Sequence, residues 1–298
     1  MTKRDWTMAG ALMALIVANY LAWLLNLGDA FRTLLLILMV VALALVIWER
    51  VRMKDFFALC LLGFLLFLIV RSPLSAWDAR SIWFFHAKRM YYDGSLYARL
   101  DDYGHFSHND YPDVVPSLAA SITRAVNVWN EVLPKLAIFL AIVPAVMILL
   151  RMLRTEASQF LLGAILIGPV LIGSHDFLVN GYMDGILGVY MAALVLCSCQ
   201  FLARWPEHSK LSLVERLACP LLLAVICGVK NEGLVIGLLY LLTFTTVLFL
   251  NKYPRAVIAR FVAASAAAFV PVMIWKIRLV SAHINNDLVE ERGGTLRE

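Results

Sequence analysis

Nine apolar runs, at 8–27, 33–48, 55–71, 133–150, 158–175, 183–203, 212–229, 232–250 and 257–279, constrain this chain more than any motif. A helix crossing a hydrocarbon core of about 30 Å needs roughly 20 predominantly apolar residues, and most of these runs approach that length. Composition agrees: 62% of residues are hydrophobic, 16% are charged, and the mean hydropathy is +0.79. A soluble domain carries a smaller apolar share. The period-2 alternation of a membrane β-barrel is missing from these runs. The expected fold is therefore all-α: a polytopic membrane protein of about nine transmembrane helices forming a single domain over 1–298.

The first run follows Lys3 and Arg4 and ends without a small-residue cleavage site, so a retained helix is expected in place of a signal peptide. Segment 113–127, "DVVPSLAASITRAVN", is short and polar for a span. It is expected to dip into the membrane or lie along it, within an outer loop of residues 72–130 that carries interfacial or re-entrant helices. On that basis the N-terminus is cytoplasmic. Lys3, Arg4, Arg50, Arg52, Lys54, Arg151, Arg154, Arg204, Lys210, Arg216, Lys252, Arg255 and Arg260 then share the cytoplasmic face, as the excess of Lys and Arg in cytoplasmic loops requires. The net charge of +5 thus reflects helix ends and points to no nucleic-acid partner. Cys60, Cys197, Cys199, Cys219 and Cys227 lie within apolar runs, where cysteine behaves as a small hydrophobe.

The same topology gathers four polar clusters on the opposite face: "WDARSIW" (77–83), "HNDYPD" (108–113), "NGYMDG" (180–185) and "VKNEG" (229–233). Ionisable residues near membrane depth are costly and mark functional positions. Asp78 is a candidate general base, because a carboxylate in a partly dry crevice accepts a proton from a hydroxyl; it could instead cap a helix or pair with Arg80. Trp77, Trp83, Phe84, Phe85, Tyr91 and Tyr92 are residue types that settle at headgroup depth. Lys230, flanked by Asn231 and Glu232, offers an ammonium for a phosphate, or forms an ion-paired turn. Asp184 opens a run, where a carboxylate also complements the helix dipole. His175 and Asp176 lie at the same face. His105, His108 and Asp110 are weak metal candidates, since their loose spacing leaves further ligands undefined. Tyr111-Pro112 suits entry into a helix.

Taken in order, "WDA..IW", "YPDVVP", "GYMDG" and "VKNEG" resemble the GT-C superfamily of integral-membrane glycosyltransferases, in one bacterial branch, over about residues 73–250. The resemblance implies transfer of a sugar from a polyprenyl-phosphate donor to an acceptor hydroxyl on the periplasmic side of the inner membrane, with inversion. It implies Asp78 as the catalytic outer-loop acid and Asp184 as the second. Lys230, Asn231, Glu232, Arg80, Lys88, His108 and Tyr111 would contact substrate, with no certain cofactor and a divalent metal as an option. Many members carry the catalytic Asp after the first span, whereas Asp78 follows the third run. A transporter or flippase of a lipid-linked or anionic substrate is the alternative, but internal repeats and mid-membrane helix breaks are not evident.

Overall fold

A computed structural model describes residues 3–96, 107–153, 155–171, 178–203, 213–282 and 284. Twelve α-helices run in order among them: α1 (Lys3–Leu24), α2 (Asp29–Arg52), α3 (Phe56–Arg71), α4 (Phe84–Asp93), α5 (Val114–Ala125), α6 (Leu136–Met152), α7 (Glu156–Leu171), α8 (Met183–Ala203), α9 (Leu213–Val229), α10 (Asn231–Leu250), α11 (Arg255–Ala267) and α12 (Val270–Ser281). No strand occurs among the described residues. Among the described residues five segments are long and apolar enough to cross a membrane: Trp6–Leu24, Asp29–Arg52, Leu133–Met152, Met183–Ala203 and Asn231–Leu250. The pair α11–α12, bent by 42°, makes a sixth if counted as one span. Its bend falls beside Pro271, which cannot donate to the preceding turn.

The described residues of all nine apolar runs are mostly helical, and five or six segments among them meet the length requirement. Helix α3 is apolar but has 16 residues, about 24 Å at 1.5 Å per residue, and α7 is described over 16 apolar residues, to Leu171. Helix α9 has 17 residues and carries Glu215 and Arg216 near its start.

Helix α6 is the axis of the bundle, with every residue from Ala137 to Leu150 buried. Helices α2, α7 and α10 lie at the periphery and turn Trp48, Phe160, Leu242 and Phe249 outward. Contiguous exposed side chains of this kind mark a surface covered by something other than water, and a bilayer supplies that cover. Cys60 and Cys199 also face outward, whereas Cys197, Cys219 and Cys227 are buried.

Helices α9 and α10 form a hairpin joined by Lys230 alone. Gly233 and Gly237 let them close: a Cβ at Gly233 would overlap the Ile226 carbonyl, and one at Gly237 would lie 2.7 Å from Cys227 Sγ. Small residues four apart allow such close approach between membrane helices.

Two short elements shape the Lys230 end of the bundle. A π-helical turn at Ala79–Trp83 leads into α4. This segment buries Trp83 and Phe84, so those two aromatics are core residues and not headgroup anchors; Trp77 and Tyr92 remain exposed. Helix α5, preceded by Pro112, is buried from Val114 to Thr123. Its 12 residues reach about 18 Å, too short to cross. Serines on α5 bond to α1: Trp23 Nε1 donates to Ser121 Oγ at 2.9 Å, and Ser121 Oγ donates to Asn19 Oδ1 at 2.7 Å. Its first residue, Val114, packs against Gly228 of α9. At its far end Arg124 Nε donates to Asp29 Oδ1 at 3.0 Å. Helix α5 thus runs alongside α1, from Tyr20 and Gly228 at its start to the α1–α2 junction at Asp29.

Candidate functional site

Lys230 occupies the break between α9 and α10 in extended backbone conformation, φ −159° and ψ 158°. Its Nζ lies 3.0 Å from Asp184 Oδ1 and 3.6 Å from Glu232 Oε1. The lysine side chain is 14% exposed, while both carboxylates are about half exposed (47% and 53%). Burial lowers the affinity of Lys230 for its proton, but Asp184, Glu232 and Asp78 more than offset that and hold the ammonium above the ordinary lysine range.

Asp184 sits in the first turn of α8, after a turn in which Asn180 Oδ1 accepts from the Tyr182 N–H at 3.1 Å. Gly181 has φ +98°, a conformation that glycine adopts without strain. A Cβ there would come within 2.8 Å of Ala79 Cβ and 2.9 Å of Leu74 Cδ2. The turn before Asp184 therefore rests on the residue that follows Asp78.

Tyr111 brings in the third cluster. Its ring stacks on Trp83 at 5.3 Å and on His108 at 5.1 Å, between centroids. Burial, then the fields of Glu232, Asp110, Asp78 and Asp184, push the Tyr111 phenol up. Tyr182 is also raised, by burial and then by Asp78 and Asp184, with Lys230 opposing. The four clusters, scattered over more than 150 positions of the sequence, act on one another at one end of the bundle.

Beneath them lies a bonded layer. Asn231 Nδ2 donates to Asp110 Oδ2 at 2.6 Å. Lys276 Nζ of α12 donates to Asn231 Oδ1 at 2.7 Å and to the Asp110 carbonyl at 2.9 Å, and Trp275 Nε1 reaches the same carbonyl at 3.2 Å. Deeper still, His86 Nδ1 and Asp113 Oδ1 are 2.8 Å apart and both side chains are buried. The Asp113 N–H donates to Tyr20 OH at 3.4 Å. These contacts fix the backbone on either side of Tyr111.

Asp78 is half-buried, and its carboxylate makes no capping hydrogen bond to the turn it precedes. It forms no ion pair with Arg80. Arg80 and Lys88 are exposed, and neither makes an ion pair among the described residues; the structure does not join them to the Lys230 cluster. His105, His175 and Asp176 lie outside the described residues. Among the described residues no three His, Cys, Asp or Glu side chains assemble as a metal cage, so His108 stacks on Tyr111 and Asp110 accepts from Asn231 without a shared ligand geometry.

Sequence reasoning missed Lys276, Trp275 and the His86–Asp113 pair. The signal for Lys276 was present: a lysine inside the run 257–279 is costly unless it meets polar partners.

An apolar groove between α7 and α8, with a volume of about 480 Å³, opens beside this cluster. Ile165, Leu166 and Pro169 line one wall, and Gly185, Gly188 and Ala192 the other. It begins at Gly185, the residue after Asp184, and extends to Leu196, about 16 Å along the helix axis.

Compared with family models, curated proteins and solved structures, the chain matches none.

Proposed function

We propose that this chain is a membrane glycosyltransferase that moves a sugar from a polyprenyl-phosphate donor to an acceptor hydroxyl. The observation that carries this reading is the position of Lys230: an ammonium held by Asp184 and Glu232, with an apolar groove whose lining starts one residue beyond Asp184. A long hydrocarbon tail fits a groove walled by leucine, isoleucine and glycine. The donor phosphate then reaches Lys230, which serves as a point charge for it.

In the reaction, the Asp78 carboxylate takes the proton of the acceptor hydroxyl as its oxygen attacks the anomeric carbon. The bond from that carbon to the phosphate oxygen breaks, and the electron pair leaves with polyprenyl phosphate. Lys230 stabilises the charge that develops on this oxygen. Asp184 and Glu232 hold Lys230 in place, and Tyr111 and Tyr182 line the space between the acids. One displacement inverts the carbon. The excess of basic residues at the other end supports a site on the periplasmic face of the inner membrane. Nine crossings follow if α3, α7 and α9 also span, with α5 re-entrant.

The test is purified protein in liposomes with radiolabelled polyprenyl-phosphate sugars and a hydroxyl acceptor. Consumption of donor with release of polyprenyl phosphate is expected. Intact donor moved between leaflets would instead identify a flippase.

A further inference from the structure

The opposite end of the bundle holds a second groove, of about 190 Å³, between α9 and α11. Its floor is Phe201, Leu217, Val257 and Phe261, and its rim carries Arg216 from α9 and Arg260 from α11. Arg216 is 13 residues before Val229 on α9, about 20 Å from the Lys230 break along the axis. The groove is therefore remote from the candidate site, and nothing proposed for that site uses it.

Charge on the α11 side of the groove is of one sign. Residues 251–260, "NKYPRAVIAR", contain Lys252, Arg255 and Arg260 and no acid. These three cations make no ion pair among the described residues. Glu215 precedes Arg216 but does not line the groove. Two guanidiniums from different helices above an apolar floor match a ligand with a phosphate at one end and a hydrocarbon chain at the other. A soluble anion would leave the aromatic floor uncovered, and a zwitterionic lipid would bring a cation to the arginines.

We propose that this groove binds an anionic phospholipid, its phosphate between Arg216 and Arg260 and one acyl chain against Phe201 and Phe261. Basic pockets between membrane helices suit such headgroups, and each Lys or Arg near the surface adds about 1 kcal/mol. Loss of both arginines then weakens binding about 30-fold.

The experiment uses the full chain purified in detergent, with dioleoyl-phosphatidylglycerol, dioleoyl-phosphatidylcholine and glycerol 3-phosphate as probes. Lipid retention is read by native mass spectrometry and stability by thermal unfolding. Phosphatidylglycerol should be retained and should raise the melting temperature, and the other two probes should do neither. The double variant Arg216→Gln/Arg260→Gln should lose this retention while melting like the unsubstituted chain without lipid. Ala264→Phe, which keeps both arginines and fills the groove, should lose it as well, and it decides the question if the double variant does not fold. Retention at the original level by either folded variant overturns the proposal. Equal retention of phosphatidylcholine, or an equal shift with glycerol 3-phosphate, overturns it too.

Discussion

Lys276 Nζ donates to Asn231 Oδ1 at 2.7 Å, joining the last described helix to the first residue of α10. The same ammonium holds the Asp110 carbonyl at 2.9 Å. Three segments far apart in sequence are therefore fixed by one charge. Hydrogen bonds from charged donors contribute about 1.5–3 kcal/mol each when buried partners would otherwise go unpaired. Lys276→Met should lower the melting temperature of the detergent-purified protein by several degrees. An unchanged melt would mean that the helix is held by its apolar face alone.

The buried His86–Asp113 pair anchors the backbone behind Tyr111. Asp113→Ala leaves His86 buried beside a cavity, at a cost of about 1–3 kcal/mol. His86→Ala should cost a similar amount. The double variant should cost clearly less than their sum, because residues in direct contact are not additive. Thermal unfolding of all four proteins measures this coupling, and strict additivity would remove the pair from the account.

Topology gives a third prediction. Helix α5 begins beside Gly228 and ends at Asp29, both at the Lys230 end of the bundle. On a cysteine-free background, Val128→Cys and Tyr182→Cys should react with an impermeant thiol reagent from the same side, and Leu153→Cys from the other. Labelling of position 153 from the side that labels 182 would overturn the arrangement.

Lys230 gives a pH prediction. Its ammonium is held above the ordinary lysine range by Asp184, Glu232 and Asp78. A cation raised in the folded state stabilises fully below its unfolded value, about 10.4, and loses that contribution as pH rises through the folded value. The stability gap between the native chain and Lys230→Met should therefore be constant below about pH 10 and shrink above it. Melting curves from pH 7 to 11 test this; a gap that widens with pH contradicts the ion pair. In the donor-binding assay the same variant should bind polyprenyl-phosphate sugar more weakly, by about tenfold or more, as loss of a charged contact implies.

The convergence of Asp78, Asp184 and Lys230 was legible because each sits at or near the edge of an apolar run, where alternation of helix direction assigns a face; Tyr111 followed once 113–127 was read as not crossing. Lys276 carried a signal as a cation inside a run, but its partners Asn231 and Asp110 belong to distant segments, which hydropathy does not pair. Arg80 and Lys88 were named among the substrate contacts. Which face of a helix meets the site is decided by packing, and burial of Ala79, Ile82, Trp83 and Ala87 turns these two outward. The shortness of α3 was likewise hidden, since hydropathy marks an apolar stretch but not where its hydrogen-bonded helix stops.

Asp78 carries the last prediction. It is half-buried at the exit from α3, and its carboxylate caps nothing and does not pair with Arg80. Its field reaches Lys230, Tyr111 and Tyr182. Among the described residues this carboxylate makes no structural bond, and its charge acts on a lysine and two phenols, the surroundings a general base needs. Asp78→Asn keeps the shape and removes the base, so sugar transfer should fall by roughly 10²–10⁴-fold, the usual worth of general-base help. The melting temperature and donor affinity should change little, because no described contact of the carboxylate holds the fold. Turnover with a polyprenyl-phosphate donor, donor binding and thermal unfolding are measured on the same preparation. Full turnover in the variant removes Asp78 from the mechanism. A variant that loses turnover only by unfolding assigns Asp78 a structural role, and the base must then be sought at Asp184.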